Sequence, residues 1–263
     1  MKLLKKIYNF FFHFIGLNLK TFFALYKFPK MVKELIIFKK KGGKIDNLFP
    51  ILYDYNDSAG SIKSHYFHQD IRVSSLIYFN KPSNHLDIGG RIDGFISNLS
   101  IFMKVDVLDI RNLDINKKNI NFIKGDLMDP KFALNKKYKS ISCLHTIEHF
   151  GLGRYGDKIN PNGHIIGFQN IYKLLDNDAS LYLSFPVSNI SRIEFNAHRV
   201  FNINDIFEWI KQLSIKDLKL ISFDLIDDNS ELFENQNINL ISKNINFGCG
   251  IYHFKKIDIH EKK

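Results

Sequence analysis

His145, Glu148 and His149 fall within five residues, His145-Thr146-Ile147-Glu148-His149. Two imidazoles four apart with a carboxylate between them suit either of two chemistries. Within a long helix they would hold zinc, with the glutamate as base. Here the motif directly follows an apolar run, Ser140 to Leu144, and no third ligand stands out, so no metal is expected. The other chemistry is proton removal, for which a side chain titrating near neutrality is suited to activate an acceptor hydroxyl. His149 is the first candidate for this base, with Glu148 or Asp157 to orient it, and His198 is its rival. Arg154, Arg192 and Arg199, with Tyr155 and Asn196 beside them, are the candidate acceptor contacts. Guanidinium groups grip a phosphate or carboxylate through paired bonds. Pairing with Asp157 and Glu194 would employ the same arginines structurally.

A second stretch with chemical content is Asn84 to Phe95. Leu86-Asp87-Ile88 has the form of a strand end, Gly89-Gly90 follows, and Ile92, Phe95, Ile96 and Leu99 recur at helical spacing. Such a strand, glycine turn and helix brings backbone against a nucleotide-like ligand, because no Cβ blocks the approach. Asp87 and Asp93 flank the turn, and Arg91 stands where G-x-G-x-x-G has its second glycine. Two carboxylates repel a pyrophosphate, which a dinucleotide loop would place on the helix N-terminus. They suit S-adenosylmethionine, which carries an ammonium and a sulfonium and no phosphate. An ordinary strand-to-helix turn is the plainer alternative.

The elements that would position these groups alternate along the chain. Ser64 to Ile77 reads as a helix before the first strand, able to close over a cofactor through Tyr66, Gln69 or Asp70. Lys104 to Asp109 alternates into a second strand, and Asp109 lies 19 residues beyond Gly90, about where a carboxylate meets a ribose diol. Ile110 follows it. Asn119 to Lys124 is a third strand, after which Asp126 and Leu127 could accept from an adenine amino group and cover its ring. The fourth strand, 140 to 144, delivers Leu144 and His145 to the same end. A helix at 164 to 175 and a turn at 176 to 178 lead to a fifth strand, 180 to 185, which Pro186 stops. A polar loop then carries residues 192 to 199, followed by a helix at 203 to 213, a strand at 218 to 226, an irregular insert at 227 to 247 and a last strand at 249 to 255. Alternating strands and helices imply an α/β fold whose ligands sit at the carboxyl ends of a mostly parallel sheet.

Composition bounds the rest. With 263 residues and 45% apolar content the chain can bury one substantial core beside an extension, divided here as residues 1–50 and 51–263. Cys143 and Cys249 are too few for a disulfide framework, which points to a reduced, cytoplasmic protein. Residues 1–44 hold eleven lysines against the single acid Glu34, so they carry the whole net charge of +10 and the remainder is neutral. A neutral body excludes a nucleic-acid groove running over it. The basic segment also contains Phe10, Phe11, Phe12, Phe14, Phe22, Phe23 and Phe28, but its apolar run is too short and too interrupted to span a membrane. It is expected either to lie peripherally on the anionic inner face of a membrane or to pack its aromatics on the body.

The Asp87-Ile88-Gly89-Gly90 turn, Asp109 and the Gly125-Asp126-Leu127 corner resemble the class I S-adenosylmethionine-dependent methyltransferases. More narrowly, 65–70, 91–95, 142–157 and 192–201 resemble a bacterial family catalogued only as domain of unknown function number two hundred and sixty-eight, across about residues 60 to 205. The class implies a Rossmann-like seven-stranded sheet with the last strand antiparallel. It also implies cofactor roles for Asp87, Gly89, Asp109, Asp126 and Leu144, to which the residues add Gly90, Ile110, Leu127, His145, Tyr66 and Gln69. The narrow family's association with surface-polysaccharide genes implies a glycan or activated-sugar acceptor. The expectation is therefore O-methylation of a capsule or lipopolysaccharide sugar with a histidine base. Two alternatives are a non-catalytic nucleotide-fold subunit of a membrane-associated glycan assembly and an NAD-dependent sugar-modifying enzyme.

Overall fold

Residues 24–55, 59–241 and 244–258 are described in the computed structural model, and the chain divides into two compact units, Met1–Ser61 and Ile62–Lys263. In the first unit a 3-10 turn, Ala24–Lys27, leads into helix α1, Phe28–Lys40. Pro29 sits in the first turn, where its missing N–H costs no helical bond. Three lysines, 39 to 41, end the helix where its dipole favours cations. No residue of α1 is buried. Of the phenylalanines expected to pack this segment on the body, those at 10, 11, 12, 14, 22 and 23 lie outside the described residues. Among the described residues no helix is long and apolar enough to cross a membrane.

The second unit is built on one sheet. Its strands are β1 Leu86–Ile88, β2 Val105–Asp109, β3 Ile120–Lys124, β4 Tyr138–Leu144, β5 Leu175–Ser188, β6 Arg192–Glu194, β7 His198–Asn202, β8 Leu218–Ile226, β9 Leu232–Phe233 and β10 Gly248–Lys256. The order is β3-β2-β1-β4-β5-β10-β8-β9, with β7 beside the end of β5 and β6 beside β7. From β3 to β5 neighbours are parallel, and β10 runs antiparallel to both β5 and β8. Seven of these strands form the expected Rossmann-like methyltransferase sheet with its antiparallel last strand; β6, β7 and β9 enlarge it to ten.

Strand β1 is buried throughout and β4 at all but Lys139, and their buried polar residues Asp87, Ser140 and Ser142 are satisfied by hydrogen bonds among themselves and with His85. Helix α2, His65–Asn80, is capped by Ser64, whose hydroxyl accepts from the Tyr66 amide at 3.2 Å. Its Val73 and Ile77 pack with Phe95, Leu99, Tyr182 and Ile251 on one face of the sheet. Phe95 and Leu99 come from a π-helical turn, Ile92–Ile96, that continues as α3, Ser97–Ser100. On the other face Phe168, Ile171 and Leu174 of α4, Gly163–Leu174, join Ile206 and Trp209 of α5, Asp205–Gln212.

Three expectations need correction. Residues 176–178 are not a turn but an irregular early part of β5, which begins at Leu175. Pro186 does not end β5, which continues to Ser188. It occupies the gap between the last β4 pairing, at Ser184, and the first β7 pairing, at Val187, so its missing N–H breaks no ladder bond there. Residues 192–202 are not a loop but the β6–β7 hairpin, with Arg192 opposite Val200 and Glu194 opposite His198.

Candidate functional site

The carboxyl ends of β1, β2, β3 and β4 converge on a cleft. At its base the chain leaves β1 through Gly89, whose φ of +68° only glycine adopts freely. A Cβ on Gly89 would run into the Thr146 side chain, and one on Gly90 into the Asp87 carboxylate. Asp87 itself is fully buried beneath the turn, where it accepts from the Gly90 amide at 2.9 Å and the Ser142 hydroxyl at 2.5 Å. Ser142 also meets His85 Nε2 at 3.0 Å, and His85 Nδ1 meets Ser140 at 2.8 Å. Burial drives the Asp87 carboxyl up to about 7, against the hydrogen bonds from Ser142 and Gly90. Asp87 therefore braces the turn and does not reach the cleft. Asp93 is exposed and paired with Arg91 at 2.7 Å. Neither of the two acids that framed the charge argument faces the ligand space.

The acids that do face it are Asp109 and Asp126. They line about 570 Å³ of empty space with Gly89, Ile110, Leu127 and Thr146. Asp109 holds Arg111 through two guanidinium bonds, and that guanidinium lies 4.6 Å from the Tyr155 ring centroid. Asp126 turns one oxygen toward the Met128 amide at 2.8 Å. Next to this space, about 940 Å³ more is lined by Tyr66, Gln69, Asp70, Gly90, Leu144 and Arg154. Gln69 is locked by Ser184 at 2.5 Å and Asp70 at 3.1 Å, and burial pushes the Asp70 carboxyl up to about 6. His145, His149 and Tyr155 line both spaces and separate the cleft from a third cavity, which His65, Glu148, His198, Asp228 and Phe247 line.

The histidines at that junction are held differently. His149 Nδ1 donates to the Ala197 carbonyl at 2.7 Å, which leaves Nε2 with its lone pair. Burial lowers its pKa, so the imidazole is neutral near pH 7. Glu148, buried, meets His145 Nδ1 at 2.9 Å and is 3.9 Å from His149 Nε2, beyond hydrogen-bond range. It orients His145, not His149. Asp157 does not orient His149 either: its carboxylate accepts the amides of Gly151, Gly153 and Tyr155 and so organises the loop around them. For His145, burial lowers the pKa, but the Cys249 thiol and Glu148 overcome it and raise the value, so positive charge is favoured there. His198 Nε2 lies 3.4 Å from Glu194, and its ring centroid is 6.3 Å from that of His149.

Of the expected acceptor contacts, Arg154 and Tyr155 line the shared space. Arg154 donates to the Ala197 carbonyl at 2.9 Å, the same oxygen that fixes His149. Arg199 is 3% exposed and donates to the carbonyls of Glu148, Phe150 and Pro161, so it ties the hairpin to the post-β4 loop and lines none of the three cavities. Arg192 pairs with Glu194 and the Asn246 carbonyl, and Asn196 is exposed at the hairpin tip; neither lines the three cavities. Arg111, Thr146, His65 and Asp228 are the site residues not foreseen. Arg111 had a signal, two positions after Asp109, whereas His65 and Asp228 reach the site only through tertiary packing.

Residues 102–244 match the family model described as "Caenorhabditis protein of unknown function, DUF268". The chain belongs to this family. Its description names Caenorhabditis where a bacterial family was expected, and the match begins at Phe102, so the turn at 87–90 and the segment 65–70 fall outside it. No curated protein matches the chain. Among solved structures it resembles the [4+2]-cyclase SpnF with a TM-score of 0.52 and 7% identity, over 76% of this chain and 86% of that one. It also resembles the N-methyltransferase NodS from Bradyrhizobium japonicum WM9, with a TM-score of 0.50 and 12% identity over 78% and 99% of the two chains. These likenesses show the fold. A cyclase and a methyltransferase share it, so the reaction has to be argued from side chains.

Proposed function

We propose that this chain is an S-adenosylmethionine-dependent methyltransferase acting on an oxygen acceptor, with His149 as general base. The observation that carries the reading is the position of His149 Nε2, unprotonated and at the boundary between the Gly89–Asp109–Asp126 cleft and the cavity lined by Tyr66, Arg154, His198 and Asp228. In this reading Asp109 takes the ribose hydroxyls, Asp126 and Leu127 hold the adenine, and Gly89 lets the backbone approach. When bound, the cofactor supplies an electrophilic methyl group. His149 removes the acceptor proton, Arg154 fixes the carbonyl that fixes His149, and the cleft contributes alignment. Glycan recognition is supported by the aromatic and polar mixture of Tyr66, Tyr155, Arg154 and Asp228 at the outer cavity. We extend the proposal to a sugar of a surface polysaccharide or its activated precursor, with the basic segment placing the enzyme at an anionic membrane.

One observation favours a rival. Arg111 beside Asp109 is placed as in sites that accept a dinucleotide's ribose phosphate. A thermal-shift comparison separates the readings, because a ligand selective for the native state raises its stability. S-adenosylhomocysteine is expected to raise the Tm while NAD and NADP leave it unchanged. The reverse order would replace methyl transfer with hydride transfer.

A further inference from the structure

We infer that His65, His145 and Cys249 form a binding site for a thiophilic divalent cation of the zinc type. The three come from distant parts of the chain: the first residue of α2, the exit of β4 and the second residue of β10. Helix α2 packs on β10, and this brings one ring nitrogen from each histidine and the Cys249 sulfur within 4.8 Å of one another. In a tetrahedral zinc shell, with Zn–N about 2.0 Å and Zn–S about 2.3 Å, ligand atoms stand about 3.5 Å apart. Closing the difference needs about 1 Å of side-chain rotation by these three residues.

His145 is the decisive member. Its side chain is 6% exposed, its Nδ1 is tied to Glu148 Oε1 at 2.9 Å, and its Nε2 makes no hydrogen bond. A carboxylate that fixes one imidazole nitrogen and leaves the other aimed at a metal is the usual outer-shell arrangement for a histidine ligand. The second oxygen of Glu148 is also buried without a partner, a negative group that a nearby cation would compensate. Cys249 is buried and reduced; its sulfur contacts the Gly250 carbonyl at 3.8 Å and interacts with the His145 ring, whose extra proton a bound cation would displace. Two imidazoles and a thiolate select zinc over magnesium or calcium, which prefer oxygen shells. Three protein ligands leave a fourth position, and the cavity shared by His65, His145, Glu148 and His149 is where an acceptor atom or water would fill it. The site does not depend on the methyl-transfer reading, since its test uses the metal alone.

The test is titration of the full chain, purified with chelator, with cobalt(II) and then zinc. Cobalt is expected to bind at one equivalent, to give the near-ultraviolet thiolate charge-transfer band and the intense visible bands of a four-coordinate ion, and to be displaced by zinc. Cys249→Ser should abolish the charge-transfer band. His65→Ala, at the start of α2, should weaken cobalt binding at least tenfold, while His68→Ala, one turn along the same helix, should leave it unchanged. The proposal is overturned if the wild-type chain shows no charge-transfer band, or if binding survives both Cys249→Ser and His65→Ala, which would mark adventitious surface histidines. Should Cys249→Ser fail to fold, the paired His65 and His68 variants still decide the outcome.

Discussion

His149 Nε2 is available as a base because a carbonyl, not a carboxylate, holds the opposite nitrogen. This arrangement fixes the tautomer; burial lowers the pKa and outweighs Glu148 and the Ala197 bond, which raise it. His149→Ala is expected to slow methyl transfer by about 10²- to 10⁴-fold, the usual contribution of a general base. S-adenosylhomocysteine binding should be retained, which calorimetry on the variant would show. The pH dependence has a definite sign. The reacting form is the neutral imidazole, so kcat/KM should rise with pH to a plateau, with its half-maximum below the ordinary histidine value of about 6.5. A half-maximum above 6.5 would assign the base to another group. The positions of Asp109 and His149 at the cleft were legible in the sequence because Asp109 ends β2 and His149 sits in the short turn that follows β4. Asp157 and Arg199 were misread for a shared reason. Their partners are backbone amides and carbonyls of folded loops, to which a residue pattern gives no clue.

At the scale of elements, the glycine turn depends on the link between β1 and β4. Asp87, Ser142, His85 and Ser140 form a continuous buried hydrogen-bonded chain across the two strands. Removing the central hydroxyl in Ser142→Ala leaves Asp87 and His85 each short of a partner and should cost about 1–3 kcal/mol in urea denaturation. The two ionisable members of this chain titrate in opposite senses. Burial pushes His85 down to about 3, so its contribution to stability is complete above the unfolded value of about 6.5 and declines as pH falls from there toward 3. Burial pushes Asp87 up to about 7, so its contribution is complete below the unfolded value of about 4 and is lost as pH rises through 7. Asp87→Asn should therefore flatten the stability profile between about pH 4 and pH 7, read as denaturation midpoints across that range. A variant that loses stability with rising pH as steeply as the wild type would show that Asp87 is ionised in the native chain. The periodic elements were legible here: β8 was expected at 218–226 and is found there. The β6–β7 hairpin was not, because strands of three and five residues with charge on both leave no period-2 signal.

At the scale of the molecule, charge and fold are separated. The seven lysines among residues 24–44 lie in the first compact unit, while the cleft lies in the second. The proposal that the basic segment meets anionic lipid predicts that the full chain sediments with phosphatidylserine vesicles at low salt and is released at high salt. A fragment covering residues 62–263 should stay in the supernatant yet keep its unfolding transition. Equal sedimentation of both would move the contact to the second unit. The mostly parallel sheet with its antiparallel last strand was foreseen through the family resemblance. The placement of His65 and Asp228 was not, because it arises from packing between segments distant in sequence.

The central claim is that the cleft bounded by Gly89, Asp109 and Asp126 receives the methyl donor. Calorimetric titration of S-adenosylhomocysteine into the wild-type chain and Asp109→Ala tests it most directly. The account predicts one site per chain in the wild type and affinity lowered by at least about tenfold in the variant, the loss expected when a charged hydrogen-bond acceptor is removed. No binding heat, or equal affinity in the two proteins, would contradict it.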